Sequence, residues 1–483
     1  MTASVRAGAV ALALLLLAPA VASGQAATIV INNVNAPGVG FNDPTPRAPL
    51  PTNPGTTLGQ QRLIVFERAA ILHGQLIQSP VPIIVNAQFI SQTCGPTSGV
   101  LGSAGTQSAS RDFPGAPVAG TWYHAALANS LAETDLNPGV HDINANFNLN
   151  LDSDPNCLGG VGWYYGLDHN EAGQVDLLAV VEHELAHGLG FSNFVNLSTG
   201  AFFQDFPDTY SRLIFDNSTG QLWPQMNNAG RVASAINDPF VVWSGAAVAA
   251  RAGSVLGIVP VVTVNSPGPI AGDYEAQEAA YGPSVSAGSV TGSVVLVDDG
   301  SGLPNEGCGP LINGPAVNGN IALVDRGTCT FVTKSANAQA AGATGVLIAN
   351  NAATGLPPMG GSDPGATIPS LGITQALGNS IKANLPAPGV NVTLQDDPLG
   401  TLAGTNGGSL RLNAPDPLAL GSSISHWTPA ASPNLLMEPA INSDLTDDID
   451  LTLDLFIDVG WQTPIFANGF ESGDTSSWSL AVP

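Results

Sequence analysis

Two histidines four residues apart, with a glutamate directly after the first, are the best candidates for chemistry in this 483-residue sequence: His183-Glu184-Leu185-Ala186-His187. On a helix, residues i and i+4 share a face, so both imidazoles project toward one point. Neutral imidazoles at that spacing suit zinc. The Glu184 carboxylate between them can reach an activated water without displacing a ligand. Two ligands and a general base make a site for metal-assisted hydrolysis, with one catalytic Zn2+ as cofactor. The competing reading is a partly exposed helix carrying two ordinary histidines.

A catalytic zinc needs a third protein ligand and an open position. The histidines are His73, His124, His141, His169, His183, His187 and His426, and only His426 lies downstream of the pair. After His187 the chain runs Gly188-Leu189-Gly190-Phe191-Ser192-Asn193. A compact site would place its third histidine at position 193. Asn193 is a neutral amide that ligates zinc poorly, so the third ligand comes from elsewhere. His169, in the polar loop Gly166-Leu167-Asp168-His169, and His426 are the two candidates.

The element holding the pair is the strongest helix in the sequence, residues 175–189. Val175, Leu178, Val181, Leu185 and Leu189 form a broad apolar stripe, and Gly190 stands where a C-cap glycine belongs. Asp176 and Glu182 lie on this helix outside the motif, where surface or capping roles are expected. Upstream, the spacing predicts helices over 60–76 and 123–132. Strands are predicted at Val81-Pro82-Ile83-Ile84-Val85 and over 143–149, the latter from its period-two alternation. Beyond Trp243 the texture shifts to Val, Gly, Ala and Pro. Short strands are expected at 292–297, 321–324 and 345–349, with a helix at 333–341.

Composition sets the class. Only 12 Lys and Arg face 37 Asp and Glu, a net charge of −25, which leaves no basic stripe for nucleic acid. Carboxylates crowd 443–454 (Asp444, Asp447, Asp448, Asp450 and Asp454), and Ca2+ is a second candidate cation, although the spacing matches no EF-hand loop. Arg6, the apolar run 7–18 and the small residues Ala20-Val21-Ala22-Ser23-Gly24 form a signal peptide, which implies a secreted chain with no membrane span after its removal. The remaining length of about 460 residues calls for more than one domain. Cys94, Cys157, Cys308 and Cys329 show no CxxC spacing, so disulfides are expected. Proximity favours Cys94–Cys157 and Cys308–Cys329 among three connectivities.

The segment His183 to Phe191, followed far downstream by Ser425-His426-Trp427 and Asn434-Leu435-Leu436-Met437-Glu438-Pro439, resembles the leishmanolysin-like metzincins. The resemblance covers about 60–245 and 401–463. It implies a zinc metallopeptidase with His426 as third ligand and Met437 as the apolar floor beneath the metal. The gap from His187 to His426 exceeds a simple family insertion, so a whole domain must be looped out. Residues 318–351, from Asn-Gly-Asn-Ile-Ala-Leu-Val-Asp-Arg-Gly to Val-Leu-Ile-Ala-Asn-Asn, are similar to the protease-associated domain. That likeness extends over 258–400 and implies a role in substrate access or partner binding, without chemistry of its own.

The expected fold is α+β: a metzincin-like zinc peptidase domain interrupted by a β-rich protease-associated domain. The expected division is a signal peptide at 1–24, peptidase domain at 25–249 and 401–463, insert at 250–400 and tail at 464–483. The tail, with Asn468-Gly469-Phe470-Glu471-Ser472-Gly473-Asp474, resembles one recurring on exported bacterial proteins; an export or surface-sorting role and a disordered end are equal expectations for it. The expected function is secreted, zinc-dependent endopeptidase action on protein or peptide substrates, with Glu184 as general base. One alternative is a secreted binding protein with a non-catalytic zinc site, acting through the inserted domain. Another is metal-dependent hydrolysis of a non-peptide substrate. Oligomeric state is not readable from the sequence.

Overall fold

The computed structural model describes residues 25–464 except 387 and 388. The signal peptide and nearly all of the C-terminal tail lie outside the described residues. The fold is mixed α/β and divides into two compact units, one comprising the chain through Gly190 with residues from Val459 onward, the other Phe191–Asp458.

The first unit is built on a four-stranded sheet. Its strands are β1 (Ile29–Asn33), β2 (Ile83–Ile90), β3 (Gly102–Thr106) and β4 (Ile143–Asn148), in the order β1-β2-β4-β3. β1, β2 and β4 run parallel, and β3 joins β4 antiparallel as an edge. Helices α1 (Leu58–Leu76) and α3 (Leu177–Leu189) pack on it, with α2 (Ala125–Ala132) between them in sequence. The alternation of β2 is read directly in its burial, with Ile83, Val85, Ala87 and Phe89 inward. Phe41, Phe66, Phe89 and Phe147 interlock edge to face or tilted at 4.6–5.9 Å between ring centroids. Arg62 is buried against them, held by Asp152 Oδ2 at 2.7 Å, Tyr165 Oη at 3.1 Å and the Gly40 carbonyl at 3.0 Å. A buried guanidinium needs this many acceptors to offset its lost hydration.

Two expected boundaries shift for local reasons. Tyr123 and His124, expected to begin a helix, instead pair antiparallel with Ala109 and Ser110, and α2 starts after them. Val175 and Asp176 pair in parallel with Trp163 and Tyr164, so α3 starts at Leu177 with Asp176 as its N-cap. At the other end of α3, Gly190 adopts φ +136° while its N–H reaches the Ala186 and His187 carbonyls, a conformation open to glycine.

Within the second unit, residues 260–396 form an eight-stranded sheet. Its strands are β5 (Pro260–Ser266), β6 (Gly272–Glu275), β7 (Gln277–Glu278), β8 (Val290–Leu296), β9 (Ile321–Asp325), β10 (Gly345–Ala349), β11 (Ser370–Ile373) and β12 (Asn391–Asp396). The order is β6-β5-β12-β8-β9-β10-β11-β7. The expectation of a β-rich block captures the sheet but understates the helices. β8 to β11 are parallel; α4 (Phe331–Ala340) lies in the crossover from β9 to β10, and α5 (Gln375–Asn384) lies between β11 and β12, which returns antiparallel beside β8. Ala338 of α4 packs with Val324, Val346 and Ile348, while Leu377 and Ile381 of α5 pack with Leu323, Leu347 and Leu371. The two helices therefore cover opposite faces. That explains why β9 and β10 read as continuous apolar runs.

Both disulfides join the pairs nearest in sequence, Cys94–Cys157 and Cys308–Cys329. No helix among the described residues is long and apolar enough to cross a membrane.

Candidate metal centre

Every residue of α3 is buried, so the helix presents its histidines from a fixed, packed rod. Asp176 Oδ1 accepts the Leu178 N–H at 2.8 Å at its start, and Trp461 Nε1 donates to the Leu189 carbonyl at 2.8 Å at its end. These bonds satisfy helix-terminal groups that would otherwise be left without partners.

His183 and His187 turn their Nε2 atoms toward each other at 3.2 Å. Two zinc–nitrogen bonds of about 2.0–2.1 Å at a tetrahedral angle span roughly 3.3 Å, so the pair already has the edge of a tetrahedral zinc site. Among the described residues, one group of His, Cys, Asp and Glu side chains is gathered closely enough to hold a metal. It is His183, His187 and His426, whose offered nitrogens lie within 4.8 Å of one another.

His426 is 5% exposed, and its Nδ1–H donates to the Ser422 carbonyl at 2.8 Å. A carbonyl only accepts, so this bond fixes the proton on Nδ1 and leaves Nε2 with a lone pair. Next to it, Trp427 packs edge to face on Phe191 at 4.9 Å and on Trp243 at 6.2 Å. The Trp427 backbone N–H donates to the Met437 carbonyl at 2.8 Å, and Met437 is fully buried. The rival His169 is held otherwise. Its Nδ1 sits 2.7 Å from Oδ2 of Asp176, the residue that caps α3.

Glu184 lies against β3. A Cβ at Gly102 would come within 2.9 Å of Glu184 Cγ, so glycine there makes room for the carboxylate. Burial raises the Glu184 pKa to about 8, while a hydrogen bond from the Ala104 backbone opposes the rise. β3 pairs only with β4, and its outer edge carries no strand among the described residues. The sequence reading missed Gly102, Ala104 and Ser422, since a glycine, an alanine N–H and a carbonyl leave no side-chain signature. Glu182 corrects an expectation: it is fully buried, not on the surface.

Two of the acidic residues expected at 443–454 hold nearby chain. Asp450 accepts from the Leu436 and Thr452 backbone, and Asp444 accepts from Asn434.

Residues 290–381 match the family model of the PA domain, so the chain contains a PA domain. No curated protein matches the chain. Among solved structures, a zinc aminopeptidase from Bacillus subtilis aligns over 31% of this chain and 35% of its own, at 23% identity and TM-score 0.22. An aminopeptidase from Aneurinibacillus sp. strain AM-1 aligns over 28% and 30%, at 29% identity and TM-score 0.23. A subtilisin-like protease from Pseudoalteromonas sp. AS-11 aligns over 29% and 33%, at 22% identity and TM-score 0.22. The chain thus spans about a third of the length of the solved structures it matches. Likeness at such TM-scores says nothing about chemistry.

Proposed function

We propose that this chain is a secreted, zinc-dependent endopeptidase of metzincin type, with His183, His187 and His426 as ligands and Glu184 as general base. The observation that carries the reading is the convergence of three imidazole nitrogens, two of them from the helix that also carries the buried Glu184. Three neutral nitrogen donors suit zinc and leave one position open. Bound zinc supplies a Lewis acid and an acidified water at that position.

The chain's own residues do the rest. Glu184 takes a proton from the attacking water and returns it to the leaving amine. The Ala104 hydrogen bond holds the carboxylate in place, and a cation beside it would pull its raised pKa back down. The open edge of β3 offers backbone N–H and C=O groups to an extended polypeptide, which would add as another strand beside Glu184. Met437 gives the site an apolar floor, and export is in keeping with two disulfides.

The test pairs zinc content with cleavage of a denatured protein by wild type and Glu184→Gln. One zinc per chain and cleavage lost in the variant support the proposal. One zinc with no cleavage by wild type points to the binding-protein alternative, and equal cleavage by the variant removes Glu184 as base.

A further inference from the structure

Between residues 258 and 400 the chain has three basic side chains, Arg326, Lys334 and Lys382. Lys334 is fully buried, with Nζ donating to the Glu306 carbonyl at 2.7 Å, and Lys382 is ion-paired to Asp325. Arg326 differs. Its Nη1 donates to Asn350 Oδ1 at 2.9 Å and its guanidinium lies over Phe331 at 5.8 Å, but it makes no ion pair among the described residues.

Arg326 stands where two hollows meet, of about 300 Å³ and about 460 Å³. The smaller one lies at the carboxyl ends of β9 and β10 and the start of α5, the position where open α/β sheets take ligands. Across it, the amides of Asn305 and Asn379 have no side-chain hydrogen bond within the described protein. Leu303, 57% exposed, forms an apolar rim. The Cys308–Cys329 disulfide ties the segment bearing Leu303 and Asn305 to the one bearing Arg326 and Phe331.

We infer that this trough in the PA domain binds an extended peptide, gripping a carboxylate on Arg326 with an adjacent apolar side chain against Leu303. A guanidinium with open donors suits a planar carboxylate, and the two amides can each pair with peptide backbone. The chain's charge of −25 opposes an acidic ligand. At physiological salt distant charges are screened beyond about 8 Å; within the hollow the Glu306 and Asp325 carboxylates are ion-paired to Lys334 and Lys382, which leaves the Arg326 guanidinium for the ligand. This inference needs no metal chemistry, so its failure and that of the zinc reading are separable.

The experiment measures binding by fluorescence anisotropy on the full chain carrying Glu184→Gln. The probes are labelled octapeptides ending in leucine with a free carboxylate, the same peptides amidated, and amidated peptides with an internal Leu-Asp pair. A carboxylate-bearing set should bind, and the two arms tell whether the carboxylate is terminal or a side chain. Arg326→Ala should weaken binding at least about tenfold, and Arg326→Lys by less, with unaltered thermal unfolding confirming the fold. The inference is overturned if no peptide binds, if amidated neutral peptides bind equally well, or if Arg326→Ala binds like its parent.

Discussion

Asn193 Nδ2 donates to Ser425 Oγ at 3.0 Å, joining positions 232 residues apart in sequence. Asn193 holds the place where a compact site would carry its third histidine, and Ser425 directly precedes His426. The amide that cannot ligate zinc thus anchors the segment bearing the proposed ligand.

That bond should matter to metal binding more than to folding. Asn193→Ala and Ser425→Ala are each expected to weaken zinc binding about tenfold, within the range for groups that orient ligands. A double-mutant cycle on stability should give a coupling of about 1 kcal/mol. Zinc titration against a chromophoric chelator checks the first expectation, and urea unfolding the second.

His426→Ala should weaken zinc binding more than about 100-fold, because two imidazoles alone hold the ion poorly. His169→Ala should leave zinc stoichiometry unchanged, since its ring is engaged by Asp176. Metal analysis after dialysis distinguishes the two. The reverse pattern would move the third ligand to His169.

Glu184→Gln should lower peptide hydrolysis by about 10²- to 10⁴-fold while zinc stays bound. Initial rates on a quenched fluorescent peptide, beside metal content, give the comparison.

His73 gives a pH signature independent of the metal. Burial lowers its pKa from 6.5 to about 4, and its Nε2–H donates to the Glu182 carbonyl at 2.9 Å. The unfolded chain binds this proton near pH 6.5 and the folded chain only near pH 4. Stability from this group is therefore intact above the unfolded value and declines as pH falls between the two. In chelator, wild type should lose roughly 2 kcal/mol more than His73→Gln between pH 7.5 and 5, read from urea midpoints. Parallel curves would rule out His73 as the source.

Replacing Cys94 and Cys157 by serine opens a loop with sequence separation 63. Loop-closure entropy puts the loss at about 4 kcal/mol, and differential scanning calorimetry would show it.

How far the sequence could be read follows from where its information sits. The apolar stripe of α3, the His-Glu-His spacing and the period-two pattern at 143–149 are local, and each appears as an element close to its expected place. The cysteine partners were near enough for proximity to favour the right connectivity. Sheet order was invisible, because β3 joins β4 across 36 intervening residues with nothing to mark the pairing. The starts of α2 and α3 moved because two-residue bridges claimed Tyr123-His124 and Val175-Asp176. The supports of Glu184 and His426 are backbone groups, whose positions only the folded chain defines.

The stretch of chain that contains the PA domain is closed at its base by an antiparallel bridge. The Val259 N–H donates to the Thr401 carbonyl and the Ala403 N–H to the Gly257 carbonyl, both at 2.8 Å, around an Ile258–Leu402 bridge. The two ends are thus held at strand spacing, roughly 5 Å. Such a seam makes the segment an interchangeable cassette. Any module whose termini emerge side by side can be spliced there, and a short turn can replace it, without re-routing the chain on either side. Recruiting or discarding a recognition module at this point would require one local junction.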